Sequence, residues 1–113
     1  MRTEKEVVAW RRERDGLLKE MGTLNHLLHG SWLERYSTCA RANCACHRGD
    51  KHGPRHYVVV VAEGQQHQKY IPQSQRKAAK EGIAQHRRLQ EIVGRITEIN
   101  IALMRKEMLD DNS

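Results

Sequence analysis

Residues 39–52, CARANCACHRGDKH, hold all three cysteines of the chain and two of its seven histidines. Cys39, Cys44 and Cys46 follow the spacing Cys-x4-Cys-x-Cys, and His52 lies six residues beyond the last of them. Three thiolates and one imidazole form a common closed tetrahedral set for zinc. Cys44 and Cys46 can reach one ion from a single tight turn, while Cys39 must come back from the preceding segment. Gly49, Asp50, Gly53 and Pro54 supply the turns that bring His52 round. His47, beside Cys46, and His56, at the entrance of the next apolar run, are alternative fourth ligands. Zinc and iron both accept this donor set. Four protein ligands leave no position for water or substrate, so the ion expected here is structural. Three thiolates on a divalent ion leave one negative charge, which Arg41, Arg48 and Lys51 are placed to offset.

The rest of the composition explains why a metal is needed. The chain has 113 residues, which points to a single domain. Aromatic residues make up 4% and charged residues 30%, so the apolar interior must be small. An ion or a partner subunit then has to contribute to stability. The N-terminus has no apolar run of the kind a signal peptide requires, and the longest apolar stretch, VVVVA at 58–62, is too short to span a membrane. The expected location is the cytoplasm, where thiols stay reduced and clustered cysteines read as a metal site before a disulfide.

The excess positive charge is concentrated in two places. Arg35, Arg41, Arg48, Lys51 and Arg55 face only Glu34 and Asp50 between residues 31 and 57. Arg76, Lys77, Lys80, Arg87 and Arg88 face only Glu81 between residues 76 and 88. Such a distribution favours a polyanion, and DNA is the expected partner, held through phosphates. Enzyme chemistry finds no support. No serine–histidine–aspartate or cysteine–histidine order stands out, no glycine-rich phosphate loop is present, and the remaining histidines lie singly.

Periodicity supplies the elements around the loop. Val7, Trp10, Leu17, Met21, Leu24 and Leu28 alternate steps of three and four, broken only by Arg14, and predict a helix over 3–28. Gly16 and Gly22 should bend or fray it, and Gly30 suits a left-handed cap. WLERYS at 32–37 reads as a short strand. YVVVVAEGQQHQKYIP reads as a hairpin turning at Gly64-Gln65, with Val59 opposite Tyr70, ended by Pro72. Ser74 then caps a helix over 74–109, with a seam at Leu89, Ile92, Ile96, Ile99 and Leu103. Val93, Ile101, Met104 and Met108 lie off that seam, and this second apolar face predicts a homodimer. The fold class is α+β: an N-terminal helix, a small antiparallel β unit with a zinc-pinned loop over 31–72, and a long C-terminal helix. The helices should pack as an antiparallel hairpin or coiled coil. Trp10, Trp32, Tyr36 and Tyr57 are expected to build the scarce core rather than to serve as stacking platforms for nucleic acid. The tail after the second helix is expected to be loose.

Gly30, Ser31, Arg35, Tyr36, Cys39, Cys44, Cys46, His52, Gly53, Pro54, Tyr57, Tyr70 and Pro72 together resemble the pattern of an uncharacterised family of small bacterial and phage zinc-site proteins. The resemblance covers the middle of the chain and the helix after it, and is weak in the first helix. Ala40 departs from the glycine usual after the first cysteine. Members tend to lie near transposase and integrase genes, so the resemblance implies an accessory role in a mobile genetic element. The resulting expectation is a non-enzymatic, zinc-stabilised DNA-binding accessory protein of transposition or recombination. The alternative is a homodimeric adaptor that binds a recombinase or transposase through its helices.

Overall fold

The structure is a computed structural model that describes residues 2–49 and 51–109, with side chains from Glu4 onward. Asp50 and the last four residues of the expected loose tail lie outside the described residues. The elements are helix α1 (Arg2–Met21), strands β1 (Gly30–Ser37), β2 (His52–Ala62) and β3 (Gln65–Tyr70), and helix α2 (Arg76–Arg105). Short 3-10 turns stand at Ala45–Arg48 and Gln73–Gln75. The architecture is α+β, as expected. The chain divides into two compact units, one of α1 and the chain from residue 85 on, the other of residues 26–84. Helix α2 therefore contributes its first nine residues to the second unit and the rest to the first.

In the helical unit, Val7, Ile99 and Leu103 are buried, with Trp10, Leu17, Met108 and Leu109 packed on them. Ile92 is also fully buried. The polar contacts run antiparallel: Glu20 meets Arg88, Glu13 meets Arg95, and Glu6 meets Lys106. Arg14, which interrupts the apolar seam, donates to Asn100 Oδ1 at 2.8 Å and so keeps its charge hydrogen-bonded at a seam position.

Helix α1 stops at Met21, seven residues before the expected end. Gly22 removes helix propensity, and the Thr23 hydroxyl takes the Glu20 carbonyl at 2.7 Å, a local alternative to the next helical turn. Leu24 and Leu28 thus leave the seam, and Leu28 packs in the other unit. Helix α2 ends at Arg105 rather than 109. There Met108 N–H bonds Leu103 O and Glu107 N–H bonds Met104 O, with Glu107 at φ 56°, the double bond of a Schellman cap. Ser74 is not the helix cap: it sits inside the 3-10 turn that Pro72 starts.

The other unit is a three-stranded antiparallel sheet in the order β1-β2-β3. Its core joins Val58 to Ala79 and Ile83 of α2, with Leu28, Trp32, Val60 and Ile71 around them. Gly30 is a strand residue paired with Val60, not a left-handed cap; a Cβ there would lie 2.7 Å from the Val59 carbonyl oxygen. The hairpin turns at Glu63-Gly64, both with positive φ, as in a type I′ turn. Tyr57 therefore faces Tyr70, and Val59 faces Gln68. The register differs by two residues from the expected one, so each side chain keeps its face. The two tryptophans pack on the cores, but Tyr36 is 55% exposed and Tyr57 lies with Leu33 and Tyr70 on the opposite face of the sheet, so neither tyrosine builds the core as expected.

Candidate metal centre

The antiparallel pairing of β1 and β2 sets the ends of the cysteine loop side by side. Ser37 pairs with His52, after a register shift beyond Arg35. That pairing, rather than a turn at 49–54 alone, delivers His52 to the cysteines. Between the strands the Cys44 N–H bonds the Arg41 carbonyl, and a 3-10 turn over Ala45–Arg48 follows, closed by Gly49 at φ 112°. Ala40 lies in a bend without a positive φ, so the turn after Cys39 does not require a glycine there.

These constraints gather one ligand atom from each of Cys39, Cys44, Cys46 and His52 within 4.8 Å of one another. The Cys39 and Cys46 sulfurs are 3.6 Å apart, and Cys44 Sγ lies 3.2 Å from His52 Nε2. Ligands about 2.3 Å from a tetrahedral ion are about 3.8 Å from each other, so the four atoms suit one ion. Cys46 is buried, and the Cys39 N–H donates to its sulfur at 3.2 Å. Backbone N–H donors of this kind stabilise the thiolate form.

The thiols differ in acidity for physical reasons. Burial pushes the Cys46 thiol up. The Cys46 backbone N–H, then the Cys46 and Cys39 side chains, pull the Cys44 thiol down to about 7. Of these two, Cys44 is the readier thiolate near neutrality, and a divalent ion deprotonates coordinating thiols on binding.

The other candidate histidines have different work. His47 Nε2 lies 2.8 Å from the Cys39 carbonyl oxygen and ties the 3-10 turn to the first ligand. His56 is buried on the core face of the sheet, with its ring centroid 5.3 Å from that of Trp32 and Nε2 3.4 Å from Glu34. Among the described residues, the group close enough to hold a metal ion is the Cys3His set that the spacing pointed to.

The basic residues fall into both units. Arg35, Arg41, Arg48, Lys51 and Arg55 border the loop and the adjoining strand ends, and Arg76, Lys77 and Lys80 lie in the first turns of α2, all in the sheet unit. Arg35 donates to Gln68 Oε1 at 2.9 Å, and the Lys80 ammonium stands 5.0 Å from the Trp32 ring centre. Arg87 and Arg88 belong to the helical unit. Arg88 is held by Glu20 in a bidentate pair at 2.6 and 2.8 Å, and by Glu91 at 3.1 Å. Arg95 repeats this pattern seven residues on with Glu13 and Glu98. The Arg-x-x-Glu spacing at 88–91 and 95–98 was the sequence signal for the intrahelical half of each clamp only.

No helix among the described residues is long and apolar enough to cross a membrane. No curated protein and no solved structure matches the chain. A family model matches residues 5–81, taking in most of α1, the whole sheet and loop, and the first turns of α2. It thus reaches further into the first helix, and less far into the second, than the resemblance read from the sequence. With more than half of its length inside that match, the chain belongs to the family described as Domain of unknown function (DUF6788).

Proposed function

We propose that the chain is a non-enzymatic DNA-binding accessory protein, stabilised by a structural zinc ion and acting in the cytoplasm for a mobile genetic element. Zinc is the ion this site suits best, because three thiolates and an imidazole close a tetrahedron without an open position. Support for DNA comes from one observation: the charge is segregated by unit. The sheet unit carries nine basic residues against four acidic, whereas the helical unit carries eleven against ten and binds several of its cations in ion pairs. A metal-pinned loop holds Arg41, Arg48 and Lys51 on a short tether, beside Arg35 and Arg55 on paired strands. Arg76, Lys77 and Lys80 add to the same unit. Contacts of this type go to phosphates, give affinity without base choice and weaken steeply with salt. Metal-loaded protein is expected to shift duplex DNA at low salt and to release it as salt rises. An absence of any shift at low salt ends this reading.

A second reading rests on the outer face of α2. Val93, Ile101 and Met104 are 49%, 47% and 58% exposed. An apolar row on an otherwise charged helix suits a homodimeric adaptor that receives a recombinase or transposase through its helices. Light scattering discriminates: a strict monomer across the micromolar range counts against the adaptor.

A further inference from the structure

The sheet has two faces, and α2 covers only one. The uncovered face carries Leu33 and Arg35 of β1, Arg55, Tyr57, Val59 and Val61 of β2, and Gln66, Gln68 and Tyr70 of β3, placed together by the strand registers. Its middle row is Leu33, Tyr57 and Tyr70, with the two tyrosine rings edge to face at 5.8 Å. Tyr70 is 57% exposed and Val61 66%. Arg35 and Arg55, directly paired, close one end, and the strands there run straight into the metal loop with its own cations. Among the described paired residues of the strands, none on this face is a carboxylate: Glu34 belongs to the opposite one, beside His56.

We propose that this face is the docking surface for single-stranded DNA, with bases stacked on the Tyr57–Tyr70 pair and phosphates held by Arg35 and Arg55. The inference rests on the DNA reading above and specifies its substrate. A duplex keeps its bases paired and stacked, so it satisfies the arginines but leaves the tyrosine row and its apolar neighbours without partners. An unpaired strand offers both a π-face for each ring and a phosphate for each guanidinium. Gln68 is already turned to Arg35 and orients it, while Gln66 is exposed two residues along the same strand face, within reach of a base edge. The absence of negative charge and the pairing of exposed aromatic with basic residues match a polyanion with open bases better than a second copy of this basic chain.

Fluorescence anisotropy with the full metal-loaded chain tests this, using a twenty-nucleotide oligothymidylate, a duplex of equal length and the matching oligouridylate. The thymidylate is expected to bind about tenfold or more tighter than the duplex. Tyr70→Ala is expected to lose about tenfold on the thymidylate and nothing on the duplex, and Tyr70→Phe to retain binding, since stacking needs the ring and not the hydroxyl. Arg35→Gln is expected to lower the salt slope by about 0.7 on the single strand. Metal content and circular dichroism of each variant verify the fold. Duplex binding unaffected by Tyr70→Ala, with no preference for the single strand, overturns the sheet-face assignment and leaves the DNA reading standing. No binding to any probe overturns both. Tighter binding of the uridylate, or a self-association that Tyr70→Ala abolishes, assigns the face to RNA or to a second copy instead.

Discussion

Cys46 and His47 are neighbours in sequence with separate tasks, and substitution should tell them apart. Cys46 is buried, its sulfur accepts the Cys39 N–H and stands within the four-atom cluster that could hold an ion, so Cys46→Ser is expected to abolish stoichiometric metal and unfold the sheet unit. His47→Ala removes only the tie to the Cys39 carbonyl. It is expected to weaken metal affinity by about tenfold, within the range for residues that orient ligands; a chelator competition assay measures both. In the helical unit, Glu107 holds a left-handed conformation that costs a non-glycine residue about 1 kcal/mol. Glu107→Gly should recover that amount as a higher Tm. The cysteine spacing made the ligands legible. The role of Glu107 was not, because a Schellman cap is recognised in sequence by the glycine this chain lacks there.

At the scale of elements, the two helices show what glycine position means. A Cβ on Gly82 would lie 2.5 Å from the His26 carbonyl oxygen and 2.8 Å from Leu28 Cγ, where the Leu28 N–H bonds the Gly82 carbonyl. Gly82→Ala is expected to destabilise by about 1–3 kcal/mol through backbone displacement. Nothing approaches Gly16 or Gly94 within 4 Å. Alanine at either should instead stabilise by about 0.5–1 kcal/mol through helix propensity, as denaturant titration would measure. The heptad-spaced clamps make the helix pair sensitive to acid. The Arg88 guanidinium holds the Glu20 carboxyl, and Arg95 the Glu13 carboxyl, below the ordinary carboxylate range. A depressed folded-state value means the contribution is full above the unfolded value and is lost as pH falls through the folded one. Tm should therefore drop with acidification below about pH 4.5, and the Glu13→Gln, Glu20→Gln double variant should show a flatter profile there. These ion pairs are half exposed, so their main effect is on register and the stability change is small.

At the scale of the whole molecule, a sheet unit rich in cations and carrying the Cys3His cluster contrasts with a helical unit whose charges are nearly balanced. Chelation should act on these unequally. The sheet unit has few buried apolar residues and a loop joined by the metal ligands, so a chelator is expected to abolish its β signal in circular dichroism while the helical core around Val7, Ile99 and Leu103 retains helix. An unchanged β signal after complete metal removal would show that the ion is dispensable for this fold.

The amino-acid sequence by itself marked the three cysteines with a nearby histidine as a metal-binding cluster, and determined the α+β order of elements, the β character of 57–62 and the buried stripe of Ile92, Ile99 and Leu103. Each of these follows from spacing or periodicity along one stretch of chain, which needs no distant partner. The β1–β2 pairing singled out His52. Tertiary structure alone decided that Leu28 leaves the first seam for the sheet, that Asn100 answers Arg14, that Glu20 and Glu13 hold Arg88 and Arg95, and that His56 is buried beside Trp32 instead of reaching the metal. It also decided that Tyr57 and Tyr70 meet on an open face, because the left-handed Glu63-Gly64 turn fixes the register. These outcomes depend on which residues, far apart in the chain, are brought within a few ångströms, and local pattern carries no record of that.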